Sequence, residues 1–454
     1  MPKDSSTPDS IPRLITCMLE SSNAFCILRL KIHELIIVCP MLFSYCLGRN
    51  KNNKNDKNMK VVVIGGGMGG VAACVGIRSY VASSTQVILV EPKDHVEICW
   101  ATYRALFDPE IAKASLYPLD LFCSKHNVLH IMSSVTKLEL LPTTTGDDND
   151  NNTDTTDTDA SIKVTCDNGT IMDDIDVCVV TTGATNPYAA WGRGKEYLSL
   201  SRPERFAAMA KYGKSLLDAK TVVIVGGGLV GTELAGDIAV FSRDIAQSTR
   251  VIIVHTGERL CHKELQETAS KMLQEKLAEL GVKSILSEKA LVEGNKVTLE
   301  SSGQVIQADQ VIMANGIHPH NNSFVDAQYK DDKGWIVVDE YFRVKGAERK
   351  LFAFGDCATA LPNTGNSIVN NISTIGYNVK GVLDVAHNGK EPWISKHAAH
   401  SDVYICTVGH DDGVAQTPLL SFDSALPAWK NYSMFLYDAR SKLELELEEG
   451  DQKC

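Results

Sequence analysis

The feature that most constrains the fold is an apolar, β-branched run that ends in closely spaced glycines, residues 61–70, VVVIGGGMGG. The run predicts a buried strand, the glycines fit the pattern G-x-G-x-x-G, and the apolar residues 71–77 predict a helix. Gly65 permits a tight turn, Gly67 lets the backbone approach a pyrophosphate, and Gly70 allows the helix to pack closely on the strand. The motif therefore predicts a dinucleotide-binding unit, with the phosphates at the start of the helix.

The next strand of this unit is predicted at 86–90, and it ends at Glu91, 21 residues after Gly70. An acidic residue at this spacing is placed to accept hydrogen bonds from an adenosine ribose. The alternative is an exposed carboxylate at a strand end.

The same pattern recurs at 221–231, TVVIVGGGLVG, where Gly226, Gly228 and Gly231 take the three glycine positions. Two complete strand–loop–helix units are much harder to obtain by chance than one. They imply two bound nucleotides, one for each unit.

In the second unit, the strand predicted at 251–254 ends in His255 instead of an acidic residue. His255 and Arg259 could accommodate a 2′-phosphate, so the sequence leaves both NADH and NADPH open as the nicotinamide donor. The other interpretation is an ordinary histidine at a strand end.

Two further predicted strands end in small residues: 177–182 precedes Gly183, and 351–354 precedes Gly355 and Asp356. Ligands of α/β proteins bind at the carboxyl ends of parallel strands, so Asp356 could accept hydrogen bonds from the ribitol hydroxyls of a flavin. The alternative for Asp356, a helix N-cap, is compatible with that role.

Composition narrows the function classes. The net charge of −11 argues against a nucleic-acid partner, which would favour a basic face. The thirteen cysteines form no C-x-x-C pair, and Cys99 stands alone where disulfide reductases have a cysteine pair near the flavin. We therefore expect reduced thiols, no metal site and no dithiol chemistry.

The two ends of the chain differ from the rest. Residues 1–58 are predicted to be a poorly ordered extension or a targeting segment, since the apolar part, 35–47, is shorter than the ~20 residues of a spanning helix.

The tail 441–454 is acidic and would be repelled by anionic lipid. There is no Met-Gly myristoylation signal and no prenylation box. We expect a cytoplasmic protein with at most peripheral membrane contact; mitochondrial targeting stays open.

Together these motifs resemble those of flavoproteins with two dinucleotide-binding domains. The chain is most similar to the apoptosis-inducing factor 2 group, also called ferroptosis suppressor proteins, and to the related type II NADH dehydrogenases. The closer resemblance rests on Arg104 with Ala105, on GTELAGD at 231–237 and on GHDDGVAQ at 409–416.

The resemblance implies an α/β fold with two Rossmann-like domains, for FAD and NAD(P), and a small C-terminal α+β domain. The implied boundaries are an N-terminal extension at 1–58, the FAD-binding domain at 59–190 and 313–395, the NAD(P)-binding domain at 191–312, and the C-terminal domain with its tail at 396–454.

The implied function is an FAD-dependent NAD(P)H oxidoreductase that passes hydride from NADH or NADPH to FAD and electrons to a quinone-type acceptor. Two alternatives stay open. One is a signalling flavoprotein, like apoptosis-inducing factor, in which FAD is mainly structural. The other is a reductase for monodehydroascorbate or ferredoxin. The oligomeric state is not predicted.

The motifs and the resemblance together predict the site residues. Those for FAD are Gly65, Gly66, Gly67, Gly69, Gly70, Glu91, Arg104, Val135 (through its backbone), Gly183, Gly355 and Asp356. Those for the nicotinamide nucleotide are Gly226, Gly228, Gly231 and His255. The resemblance also implies catalytic roles for Glu233, near the contact of flavin and nicotinamide, and for Lys396, whose alignment needs a two-residue shift. The alternatives are an exposed helix residue and a surface lysine.

Overall fold

A computed structural model describes residues 59–142, 160–185, 199–320, 322–388, 393–398, 403–423 and 425–445. The predicted N-terminal extension, most of the Asp- and Thr-rich insertion after Gly146 and the end of the acidic tail lie outside these residues.

The first part of the described chain alternates strands and short helices. Its elements are β1 (Lys60–Ile64), α1 (Met68–Tyr80), β2 (Gln86–Val90), β3 (His95–Glu97), α2 (Thr102–Ala105), α3 (Pro109–Ser115), β4 (Leu116–Pro118), α4 (Leu119–His126), β5 (Leu129–Ile131), β6 (Val135–Pro142), β7 (Ala160–Cys166), β8 (Ile171–Ile175), β9 (Val177–Val180) and β10 (Ala184–Thr185).

The middle part repeats the strand–helix alternation with longer helices. Its elements are α5 (Arg202–Leu217), β11 (Thr221–Val225), α6 (Leu229–Asp244), β12 (Arg250–Val254), α7 (Glu267–Glu279), β13 (Lys283–Ile285), β14 (Ala290–Glu293), β15 (Lys296–Leu299), β16 (Val305–Gln307), β17 (Gln310–Met313) and β18 (His318–Pro319).

The last part returns to the first sheet and then forms a small sheet with two helices. Its elements are β19 (Leu351–Ala353), α8 (Gly365–Val369), α9 (Ile372–Asn388), β20 (Tyr404–Val408), β21 (Asp412–Gln416), β22 (Ser421–Phe422), α10 (Ala425–Ser433) and α11 (Leu436–Lys442).

The two main sheets are parallel and separate. The first has the strand order β19-β9-β1-β2-β5, and the second has the order β13-β12-β11-β17. Every pairing in both sheets is parallel. The apolar runs of β1 and β11 are buried because one face of each parallel sheet packs on helices and the other face packs on a small antiparallel sheet, β6-β7-β8 for β1 and β14-β15-β16 for β11. Since β19 joins the first sheet after the whole second sheet has been formed, the second unit is an insertion. The predicted α/β class with two Rossmann-like units is confirmed.

Antiparallel sheets complete the fold. The strands β6-β7-β8, β14-β15-β16 and β20-β21-β22 form three small sheets. The last of these packs with α10, α6 and α7, and so places the C-terminal segment on the second unit.

The sequence from Val96 to Leu106 has a helix-like pattern that predicts one helix, and the first part of this prediction is wrong. Residues 95–97 form β3, which pairs antiparallel with β4. Only α2, at 102–105, is α-helical, after a 3-10 turn at 99–101. The local pattern could not show the partner strand, which lies 20 residues further along the chain.

In the described parts of the chain, no helix has the length and apolar character to cross a membrane. The same residues contain no group of three or more histidine, cysteine or acidic side chains that could hold a metal ion. All eight cysteines described there are free thiols.

Candidate functional site

The first glycine loop, residues 65–70, has the shape that its sequence predicts. Gly65 has φ +105°, a conformation that side chains disfavour. A Cβ on Gly70 would lie 1.8 Å from the Gly65 carbonyl oxygen, so α1 packs closely against the turn. By contrast, a Cβ on Gly67 would meet no atom within 4 Å. The loop therefore packs tightly against the protein at Gly70 and leaves space for a ligand at Gly67.

The start of α1 is suited to bind an anion. Gly67 is its N-cap, so no side chain caps the helix, and its first turn contains no acidic residue. Backbone N–H groups and the helix dipole at this end favour a phosphate.

Glu91 is buried beneath the first loop. Its carboxylate accepts hydrogen bonds from the Gly66 N–H at 2.5 Å and from the Lys93 N–H at 3.0 Å, and the Lys93 ammonium lies 3.0 Å away. Burial alone would raise the pKa of this carboxyl, but Lys93 and the Gly66 N–H outweigh it and the pKa is lowered. A Cβ on Gly66 would lie 2.6 Å from the Glu91 Cγ, which explains the middle glycine.

Three predicted motifs meet at the carboxyl edge of the first sheet. A Cβ on Gly69 would lie 3.3 Å from the Phe354 carbonyl oxygen, 3.7 Å from the Thr181 Cβ and 3.8 Å from the Gly355 Cα. The Thr181 hydroxyl donates to the Gly65 carbonyl oxygen at 2.8 Å. The loop, the end of β9 and the end of β19 thus form one site.

Gly183, Gly355 and Asp356 lie at this same edge. Both glycines have left-handed backbones, with φ +72° and +83°. The next helix after Asp356 is α8, which begins at Gly365 and is capped by the Thr364 side chain. The alternative interpretation of Asp356 as a helix N-cap is therefore wrong.

A buried amide near Thr182 lacks a partner. The Asn322 carbonyl oxygen Oδ1 accepts a hydrogen bond from the Thr182 hydroxyl at 2.6 Å, but its Nδ2 is buried and has no hydrogen-bond partner among the described residues. A buried amide without a partner is costly, so a polar ligand group at this edge would stabilise it. With the open Gly67, this shows that the residues present fit FAD.

The second loop, residues 226–231, repeats the first. Gly226 has φ +120°, and a Cβ on Gly231 would lie 2.0 Å from the Gly226 carbonyl oxygen. A Cβ on Gly228, like one on Gly67, would meet no atom of the described residues within 4 Å. Gly228 is the N-cap of α6, and no side chain caps this helix. The Gly227 N–H donates to His255 Nδ1 at 3.1 Å. His255 thus occupies the place that Glu91 has in the first unit.

A buried ion pair lies against α6, the helix that follows the second loop. The Glu233 carboxylate oxygen Oε1 accepts hydrogen bonds from Lys430 Nζ at 2.5 Å, the Thr407 N–H at 2.9 Å and the Thr407 hydroxyl at 3.0 Å. Lys430 Nζ also donates to the Ile405 carbonyl oxygen at 2.9 Å. Both side chains of the pair are buried, so Glu233 is not an exposed helix residue.

Tyr103 connects this pair to the first unit. Lys430 Nζ lies 5.9 Å from the centre of the Tyr103 ring, within the range of a cation–π contact. Burial and then Glu233 raise the pKa of the Tyr103 hydroxyl well above its usual value. Cys99, just before α2, contacts Met68 at the start of α1, with 3.9 Å between their sulfurs. The segment 99–103 thus contacts the first loop through Cys99 and the Glu233–Lys430 pair through Tyr103.

Arg104 lies at the same junction, against the second unit. Its Nε is 3.1 and 3.0 Å from the two Asp237 carboxylate oxygens, and its Nη2 donates to the Gly409 carbonyl oxygen at 2.5 Å and to Asn431 at 3.1 Å. The guanidinium therefore joins α2, α6 and the β20–β21 turn. Its predicted contact with FAD stays a prediction.

Lys396 and Val135 lie apart from these contacts. Lys396 is 65% exposed and pairs with Glu340 at 2.8 Å, while the cation that pairs with Glu233 is Lys430. Val135 begins β6 and pairs with Cys166; its predicted backbone contact with FAD stays a prediction. Sequence reasoning missed Lys430. The available signal was a lysine within the amphipathic pattern of α10, which predicts no particular partner.

The geometry agrees with what comparison with known proteins finds. A family model described as pyridine nucleotide-disulphide oxidoreductase matches residues 59–388. Ferroptosis suppressor protein 1 of Xenopus laevis is 23% identical over 315 residues, which are 67% of this chain and 75% of that protein.

Two solved structures share the fold. The sulfide:quinone oxidoreductase of Aquifex aeolicus has a TM-score of 0.62 at 17% identity, covering 85% of this chain and 92% of that one. NDH2 of Plasmodium falciparum, solved in complex with NADH, has a TM-score of 0.61 at 14% identity, covering 86% and 97%.

Proposed function

The chain belongs to the pyridine nucleotide-disulphide oxidoreductase family, whose members use FAD and a nicotinamide nucleotide, and from this premise we propose that it passes electrons from NADH or NADPH through FAD to a quinone-type acceptor. The observation that carries the proposal is the segment 99–103, which contacts the first glycine loop at Met68 and, through Tyr103, the buried Glu233–Lys430 pair on the helix that follows the second loop.

In this proposal the first unit holds FAD. The residues are Gly65, Gly66, Gly67, Gly69 and Gly70 at the pyrophosphate, Glu91 at the ribose, and Gly183, Gly355 and Asp356 along the sheet edge. When bound, FAD supplies the two-electron acceptor and one-electron donor chemistry that side chains lack. The second loop, through Gly226, Gly228 and Gly231, holds the nicotinamide donor.

Glu233 and Lys430 act on the reaction through charge. A positive charge fixed in a buried site stabilises negative charge that develops at a reacting centre nearby. Glu233, itself fixed by Thr407, sets where the Lys430 ammonium lies. Lys430 takes the place that the resemblance gave to Lys396.

Thiol chemistry is disfavoured as the electron exit. Every cysteine in the described residues is a free thiol, and no second cysteine accompanies Cys99 in the sequence around α2. A flavoprotein that reduces disulfides through its own dithiol needs such a pair. An acceptor that takes electrons directly from the flavin is therefore favoured.

An apolar surface near the C-terminal sheet supports an apolar acceptor. Leu419 and Leu420, in the turn between β21 and β22, are 89% and 67% exposed. The same sheet contains Thr407, which holds Glu233. The Aquifex aeolicus protein that shares this fold is a sulfide:quinone oxidoreductase, which agrees with this choice of acceptor. We place any membrane contact at this surface, as a peripheral one.

The test is steady-state oxidation of NADH and NADPH by the FAD-loaded protein with a panel of soluble quinones. We expect oxidation that depends on quinone and exceeds the rate with oxygen alone. A Gly231→Ala variant, which should keep FAD and lose the donor, is the matched control. Stoichiometric FAD without quinone turnover would disprove the proposal and favour a signalling role with structural FAD.

A further inference from the structure

The second loop is closed by a pair of histidines. His255 Nδ1 accepts the Gly227 N–H at 3.1 Å, so the proton of its neutral ring must be on Nε2. That Nε2 lies 3.0 Å from His262 Nδ1, which accepts its hydrogen bond. The second proton of the pair is then on His262 Nε2. Both rings are half-buried, and the pair contacts the second loop through His255 and the Gly227 N–H.

The surrounding backbone holds the two rings together. A Cβ on Gly257 would lie 2.4 Å from His262 Nδ1 and 2.7 Å from His255 Nε2, so only glycine leaves room for both rings. The Arg259 guanidinium donates to the carbonyl oxygens of His262 at 3.1 Å and of Leu265 at 2.5 Å. The segment from Gly257 to Leu265 thus fixes the position of His262.

The segment that fixes the pair contains two basic residues, Arg259 and Lys263, and two acidic residues, Glu258 and Glu264. Burial, His262 and Lys263 lower the pKa of His255. The Glu288 N–H donates to the His255 carbonyl oxygen. The Glu288 carboxylate instead accepts hydrogen bonds from the Ser301 hydroxyl and N–H. In the first unit, the same position holds the buried carboxylate of Glu91.

We propose that the His255–His262 pair makes the second loop select a dinucleotide with a 2′-phosphate on its adenosine ribose, so that the donor is NADPH in preference to NADH. A carboxylate at the end of the second strand binds the free 2′-hydroxyl and repels a 2′-phosphate. Here His255 stands in place of that carboxylate, so the repulsion is removed, and the histidine pair offers an N–H donor. The inference rests on the proposed function only in taking the second loop as the donor site.

The test is binding of 2′,5′-ADP and 5′-AMP, measured by calorimetry on the FAD-loaded full chain. These nucleotides differ only in the 2′-phosphate. We expect 2′,5′-ADP to bind at least about tenfold more tightly, as one charge-assisted contact provides. Two variants sharpen the result: His255→Glu, which installs the residue of the first unit, should reverse the preference, and His262→Phe, which keeps the ring without its N–H groups, should weaken 2′,5′-ADP alone.

The outcomes separate the two proposals. Equal binding, or tighter binding of 5′-AMP, by the wild-type protein overturns this inference and leaves the proposed function intact. Binding of neither nucleotide overturns both. If His255→Glu fails to retain FAD and is therefore misfolded, His262→Phe decides: unchanged affinity for 2′,5′-ADP contradicts the inference.

Discussion

The two glycine loops share one pattern of backbone conformation and hydrogen bonding, but a different residue follows the second strand of each unit. In each, a left-handed first glycine is followed by an N–H that the residue after the second strand accepts: Glu91 in the first loop, His255 in the second. It follows that the glycines build a site for any dinucleotide. We propose that the strand-end residue decides whether each site accepts a 2′-phosphate on the adenosine ribose.

The largest expected effect tests whether the loops act independently. In Gly70→Ala the new Cβ would lie 1.8 Å from the Gly65 carbonyl oxygen, a clash worth about 3 kcal/mol or more. We expect this variant to purify without FAD, as judged by visible absorbance. Gly231→Ala has the matching clash, 2.0 Å from the Gly226 carbonyl oxygen, and should keep FAD but fail to be reduced by either nicotinamide. Full FAD in the Gly70→Ala variant would mean that the first loop is not the FAD site.

The next effect concerns the contact between the two units. Arg104→Met leaves the Asp237 carboxylate buried without its cation, and loss of such a partner costs about 3–5 kcal/mol. We expect chemical denaturation to show this loss in the free energy of unfolding, with FAD retained by the folded protein. Arg343→Met, which breaks a more exposed pair with Asp339, is the control and should cost about 1 kcal/mol or less. Loss of FAD at unchanged stability would instead favour the predicted contact of Arg104 with FAD.

A smaller effect is expected at Glu233, on the helix of the second loop. Glu233→Gln removes the charge that orients Lys430. We expect flavin reduction by NAD(P)H to slow by about a hundredfold, the usual loss when one preorganised group that stabilises transition-state charge is removed. Rapid-mixing absorbance measures this rate, and FAD content should not change. Lys396→Met is the matched control, because Lys396 is exposed and pairs with Glu340. A slow Lys396→Met variant beside an unaffected Glu233→Gln variant would reverse the assignment.

The smallest effect concerns the side chain that distinguishes the loops. The pKa of Glu91 is lowered in the folded protein, so its ionised form contributes stability above the unfolded pKa of about 4.5, and this is lost as pH falls through the folded value. Glu91→Gln should lower the free energy of unfolding at pH 7 by about 1 kcal/mol, with a smaller difference from the wild type in acid. Parallel acid profiles of the two proteins would contradict the role of the charge.

Much of this arrangement could be predicted from sequence because it is local. The strand–loop–helix pattern at Gly65 and again at Gly226 predicts backbone geometry within about ten residues. The spacing to Glu91 and to Asp356 follows from parallel strands that end at a common edge. These motifs predicted the fold class and placed the first loop and Gly355 at the same edge of the sheet.

The junction could not be predicted because its contacts join distant segments. Lys430 lies 197 residues from Glu233, and Arg104 lies 133 residues from Asp237. Nothing in the local pattern of α10 identifies the partner of Lys430. The resemblance suggested Lys396 as the lysine near the flavin, through an alignment with a two-residue shift; that role stays a prediction, and we propose Lys430 in its place.

The assignment of a flavin to the first loop and its reductant to the second is tested by anaerobic addition of NADPH, and then NADH, to the FAD-loaded protein. The visible absorbance of the flavin is followed throughout. We expect the flavin to bleach with a nicotinamide donor, Gly231→Ala to prevent bleaching, and a soluble quinone to restore the absorbance. An oxidised flavin that neither donor bleaches, in a protein with full FAD, would contradict this assignment of the two loops.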